Sequence, residues 1–212
     1  IVFGANLGTT TGAWLIAGFG MKVKLSAYAM PMLVFGVIGI FQNSRNLKGI
    51  GYILAGLGFL FLGIHHMKEG FDAFRDTIDL TAFAVDGYLG ILIFTLIGIF
   101  ATVVMQSSHA TLVLIITALS AQQITYDNAL ALAIGANVGT TITAIIGAMS
   151  ANIQGKRLAA AHLVFNLITA FIAILFINQI GTGVDWISAM VGIADDNYTL
   201  KLAVFHSVFN TL

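Results

Sequence analysis

Apolar runs long enough, or nearly long enough, to cross a bilayer recur along this chain. Ile50 to Met67, Tyr88 to Met105 and Leu158 to Ile177 are the clearest. A hydrocarbon core offers backbone N–H and C=O groups no partner, so such runs must close their hydrogen bonds internally, as helices or as a sealed barrel. The runs do not alternate apolar and polar residues as barrel strands do, which leaves a polytopic helical bundle in a lipid bilayer. Composition agrees: 8% of the residues are charged, against roughly a quarter in soluble domains, and mean hydropathy is +0.97. No basic block is long enough to hold nucleic acid, and the absence of cysteine removes disulfides, thiolate metal sites and cysteine nucleophiles.

Small polar residues interrupt these runs where lipid should tolerate them least. Gln106 to His109 (QSSH) follows a long apolar run, and Gly135 to Thr141 (GANVGTT) breaks the next. The segment from Gly135 to Ala148 also lies without a gap on Gly4 to Ala17, so GANxGTT occurs twice. A shorter pattern recurs as well: RLAAAHLVFN (Arg157 to Asn166) and KLAVFHSVFN (Lys201 to Asn210) share H-x-V-F-N. Ala110 to Ala121 is too short for a comfortable span of roughly 20 residues, which predicts a re-entrant hairpin with Gln106 to His109 at its tip. Helix interruptions are expected along Gly4 to Thr11 and at Gly135 to Asn137, with Gly181 to Asn197 a polar loop and a new span beginning at Leu200. Lys68 to Asp86, the densest charged stretch, reads as an amphipathic interfacial helix.

Counting crossings puts the two GANxGTT segments in opposite senses, an inverted-topology repeat. Three sections follow: 1–24 as the end of a first repeat, 25–87 as two connecting helices plus the interfacial segment, and 88–212 as an incomplete second repeat. Ile1 and Leu212 both fall inside apolar segments, so further sequence is expected at both ends. Arg45, Lys48, Lys156 and Arg157 share one side, which the positive-inside rule makes cytoplasmic; Lys22 and Lys24 oppose that orientation.

Short, glycine-broken segments at matching places in two halves point to an ion or substrate site near the midplane. Hydroxyl and amide oxygens can replace a sodium hydration shell, and helix N-termini can face an anion. Glycines and small hydroxyls also allow close helix packing, and for one copy that reading has even weight. Gln106, Ser107 and Ser108 could supply neutral donors and acceptors at the tip. His109 is open between direct ligand, proton site and packing residue, with no transition-metal cluster around it. His162 with Asn166, and His206 with Asn210, read as interhelical hydrogen-bonding pairs. No nucleotide, flavin or hydrolase motif is present, so an organic cofactor and an enzyme activity are not expected.

QSSHA (Gln106 to Ala110), GANVGTT (Gly135 to Thr141) and HLVFN (His162 to Asn166), in that order and spacing, resemble the type II sodium and phosphate cotransporter family. The resemblance implies an all-α membrane protein with inverted repeats, re-entrant hairpin and discontinuous helices, moving inorganic phosphate with sodium as coupling ion. It places Gln106, Ser107, Ser108, His109, Asn137, Thr140, Thr141, Asn6, Thr9 and Thr10 around the substrate. Of these, Gln106, Ser107, Asn137, Thr140, Thr141, Asn6 and Thr9 would also hold sodium. His109 stands where the family carries a third serine. A homodimer, a soluble regulatory domain outside the chain and a bacterial inner membrane all fit the resemblance. Transport of another oxyanion, proton coupling through His109, and a phosphate-binding scaffold or sensor that moves nothing are the alternatives.

Overall fold

The computed structural model describes residues 1–20, 26–75 and 87–212, and the described residues are helices joined by short turns. In chain order these are α1 (Val2–Leu15), a π-helical turn (Ile16–Gly20), α2 (Ser26–Ile40), α3 (Arg45–Arg75) and α4 (Gly87–Met105). Then come α5 (Ser108–Ser120), α6 (Tyr126–Ala148), α7 (Ile153–Leu175), α8 (Ile177–Met190) and α9 (Tyr198–Phe209). Among the described residues, α3, α4, α6 and α7 each contain a stretch long and apolar enough to cross a membrane. The chain is an α-helical membrane protein.

The bundle is organised around α6. About 67% of its spanning window is buried inside the protein, against 28% for the other three spans. On one side α4 runs parallel to it: Thr95 and Ile99 close on Gly135, and Ile99 and Thr102 on Gly139. The pair of glycines four residues apart presents bare backbone to α4, which lets the two helices approach as small-residue pairs do in lipid. On its other sides α6 meets α5, α7 and α9. Leu112, Ile116, Ile134, Leu202, Phe205 and Phe209 form the apolar centre there, with the Phe205 and Phe209 rings stacked at 6.1 Å.

Glycine also joins α2 to α3. A methyl at Gly36 would meet Ala55, one at Gly39 would meet Gly51, and one at Gly58 would meet Leu33. The indices run oppositely, so the two helices form an antiparallel hairpin whose outer faces, with Phe35, Ile38, Ile53 and Phe59, are apolar and exposed. Pro31 sits within α2.

Several expectations are corrected. α6 is helical without interruption through Gly135, Ala136 and Asn137, and α1 runs unbroken through Gly4 to Thr11. The reason is local. Gly135 and Gly139 serve the contact with α4 instead of unwinding, and Thr140 and Thr141 return their hydroxyl hydrogens to carbonyls of the same helix. The irregular backbone of the first segment comes later, in the π-helical turn at Ile16–Gly20.

Gly181 to Met190, expected as loop, belongs to α8, because Asn178, Thr182 and Asp185 share one helical face toward a polar cavity while Ile177 and Val184 are buried. Lys68 to Arg75 continues α3, so no separate interfacial helix starts there. The rest of that stretch, with Lys22 and Lys24, lies outside the described residues. The segment from Leu200 is a short buried helix, α9, that turns at Asn210.

Candidate functional site: a polar seam between two helices of like sequence

The hairpin tip forms where it was expected. α4 ends at Met105, Gln106 takes a left-handed conformation (φ 53°), and Ser107 caps α5 by accepting the Ala110 N–H at 3.2 Å. A positive φ at a side-chain-bearing residue costs on the order of 1 kcal/mol and persists where the surroundings enforce it. Hydroxyls brace the turn on either side of it: Thr102 Oγ1 donates to Thr111 Oγ1 at 3.0 Å, and Thr111 Oγ1 lies 3.1 Å from the Ser107 carbonyl. Gln106 and His109 are exposed, Ser107 and Ser108 half-buried. The tip thus presents polar side chains at the N-terminal end of a helix, where the dipole favours negative charge.

The two GANxGTT segments meet at Asn166. Asn6 on α1 donates from Nδ2 to Asn166 Oδ1 at 2.7 Å, and Asn166 Nδ2 donates to the Asn137 carbonyl at 3.0 Å. His162 Nε2 lies 3.3 Å from both Asn6 Oδ1 and Asn166 Nδ2. All three asparagines are buried, and Asn137 Nδ2 has no partner. An amide donor left bare at such depth costs about 1–3 kcal/mol, and it can still donate to an acceptor placed beside it. α1 and α6 run in opposite senses through this seam: Ile1 and Val2 line a cavity with Ala144 and Ala148, while Asn6 lies opposite Asn137 across Asn166.

The threonines beside the asparagines are all back-bonded. Thr9 donates to Asn6 O, Thr10 to Leu7 O, Thr140 to Ala136 O and Thr141 to Val138 O. A hydroxyl that has spent its hydrogen on a carbonyl keeps its lone pairs, and those suit a cation better than an anion. No direct hydrogen bond joins Gln106, Ser107 or Ser108 to Asn137, Thr140 or Thr141 among the described residues. The tip instead reaches α1, where the His109 ring lies over Gly12.

Of the H-x-V-F-N pairs, His162 with Asn166 bridges helices as expected. His206 with Asn210 does not: Asn210 Nδ2 turns back to the His206 carbonyl at 2.7 Å, and His206 Nδ1 is buried without a partner. Asn166 is more than the brace its spacing predicts, because both like segments bond to it; the signal is its fixed place, four residues after a histidine, in a motif that recurs. Among the described residues no three His, Asp or Glu side chains are grouped to hold a metal ion.

The fold is a membrane bundle in which two segments of like sequence meet at one buried polar seam. The particular family is clear from sequence: the chain belongs to the Na+/Pi-cotransporter family, matched over residues 1–69 and 90–195. It is similar to "Uncharacterized protein YqeW" of Bacillus subtilis, 25% identical over all of this chain and 65% of that protein. It is also similar to the proteins named "Putative inorganic phosphate export protein YjbB". The Salmonella typhimurium protein is 27% identical over 89% of this chain and 34% of its own length. The Escherichia coli K12 protein is 28% identical over 84% of this chain and 32% of its own length. The chain thus spans from about a third to just under two thirds of these curated relatives. No solved structure matches it.

Proposed function

We propose that this protein carries inorganic phosphate across a bacterial plasma membrane, coupled to sodium, by alternating access. The observation that carries this reading is the convergence of Asn6 and Asn137 on Asn166. Equivalent positions of two like segments, on helices of opposite sense, share one buried partner, which is the arrangement expected of an inverted repeat with a ligand at its interface. Family membership supports phosphate and sodium as cargo, and the names of two relatives support phosphate.

The chemistry divides between the two ligands. Back-bonded Thr9, Thr10, Thr140 and Thr141, with the amide oxygens nearby, would offer sodium neutral oxygens. Asn137 Nδ2 and the tip residues Gln106, Ser107 and Ser108, at the dipole end of α5, would offer phosphate its donors. Bringing a cation beside the anion in a site of low dielectric strengthens both, so neither binds well alone. Asp185 and Asp195, paired with Lys201, sit near the start of α6, and Lys156 near its end. With Lys156 and Arg157 cytoplasmic, Asp185 and Asp195 would face outward.

Phosphate flux in proteoliposomes carrying the full-length protein tests this. A sodium gradient should drive labelled phosphate uptake or efflux, and Gln106→Ala should weaken it. Flux indifferent to both the gradient and that substitution overturns the proposal.

A further inference from the structure

His109 is the one tip residue that leaves the serine pattern, and the structure gives its ring a definite neighbour. A methyl built at Gly12 would lie 2.6 Å from His109 Cδ2 and 3.1 Å from Nε2. The imidazole therefore occupies the space a side chain at position 12 would take. The internal repeat says what that side chain would be: laying Gly4 on Gly135 puts Gly12 opposite Thr143. One copy carries threonine at this register. The other carries glycine, and there the imidazole fills the gap. Histidine at 109 and glycine at 12 are thus matched in size, and the match is between the hairpin tip and the helix that bears Asn6.

We propose that His109 is a positioning residue, which seats the hairpin tip on α1 through Gly12 and so sets the distance between the tip's donors and the Asn6–Asn166–Asn137 seam. Its function is steric. Removing the seat lets the tip drift from α1, so the anion loses donors while the carrier still cycles. The consequence for phosphate rests on the transport reading above; the packing match does not.

The variants are made in the full-length protein in proteoliposomes: Gly12→Ala, His109→Ser, the double Gly12→Ala/His109→Ser, and the exchange Gly12→Thr/His109→Ser. His109→Ser should raise the phosphate concentration for half-maximal flux roughly three- to tenfold with the maximal rate nearly held, the span that losing one packed contact gives, and Gly12→Ala, which the exposed ring can meet by turning aside, should raise it less. The double should be no worse than His109→Ser, and the exchange, which copies Thr143, should recover half-saturation to within about twofold. Additive single effects, or an exchange variant no better than His109→Ser, overturn the inference. Melting temperatures of the four variants form the same cycle without any flux. If the wild-type protein moves no phosphate, the transport reading fails, and non-additive melting shifts still support the seat while additive ones refute it.

Discussion

The two GANxGTT helices turn the same side chain inward and meet different neighbours with their glycines. In α6 the Asn137 side lies against α7, and the Gly135 and Gly139 side is gripped by α4. In α1 Asn6 reaches the same Asn166, but nothing among the described residues lies within 4 Å of where a methyl at Gly4 or Gly8 would sit. The motif therefore carries two separable instructions on opposite helical faces. The asparagine position makes the seam, through the Asn6 side chain in α1 and the Asn137 carbonyl in α6, and glycine makes a track for another helix. Substitutions on each face should separate the two.

The largest effect is expected on the gripped face. Gly135→Val places a branched side chain against the Thr95 carbonyl and the Ile99 backbone, neither of which can step aside without moving α4. Overpacking of this kind costs about 1–3 kcal/mol in compliant cores and more where backbone is the obstacle. We expect at least about 3 kcal/mol here, read as a failure to express folded protein or as a large fall in thermal unfolding temperature in detergent. Folding as stable as wild type would mean that α4 is not held by this track.

Next comes the hub of the seam. Asn166→Leu keeps the branched outline and removes the Asn6 and Asn137 hydrogen bonds together, leaving the buried Asn6 amide bare while the Asn137 carbonyl keeps its partner within α6. That costs about 1–3 kcal/mol for the bare amide, and it should abolish phosphate flux in protein that still folds. A variant with normal flux would show that the seam braces the bundle without serving the ligand.

These two faces also show how far residues alone could be read. The tip at Gln106 to His109 is legible because four polar residues after an apolar run have few places to go other than a turn, and the structure puts a turn there. The H-x-V-F-N pair at His162 was legible because i and i+4 share a face. The interruption at Gly135 to Asn137 was misread, since a glycine in a span can mark either an unwound backbone or a close neighbour. Only the position of Thr95 and Ile99, some forty residues earlier in the chain, decides between them. α8 was missed because Asn178, Thr182 and Asp185 look like loop composition until a polar cavity is placed on one side of the helix. The pairing of His109 with Gly12 is not visible in either segment separately.

A smaller effect is expected at the threonines. Thr141→Val keeps the shape and removes an oxygen whose hydrogen is spent on the Val138 carbonyl. The isostere loses about one net hydrogen bond, near 1 kcal/mol of stability, whereas a sodium ligand would show itself as a rise in the sodium concentration for half-maximal flux with little change in that for phosphate. Thr10→Val, its counterpart by the repeat, should act in the same direction. If both leave sodium dependence unchanged, the back-bonded hydroxyls are packing groups only.

The smallest effect should come from the ungripped face. Gly4→Val meets nothing among the described residues, so by its contacts it belongs with exposed substitutions, within about 0.5 kcal/mol of wild type, and β-branching costs a helix only tenths of a kcal/mol relative to other residues. Measured beside Gly135→Val in the full-length protein, it asks whether the glycine track of α1 faces lipid. A near-neutral Gly4→Val, with Gly135→Val severe, means the two copies keep the asparagine instruction in common while only α6 uses its glycines. A loss at Gly4 as large as at Gly135 would mean instead that a helix from outside the described residues, or from a second subunit, lies on α1 as α4 lies on α6.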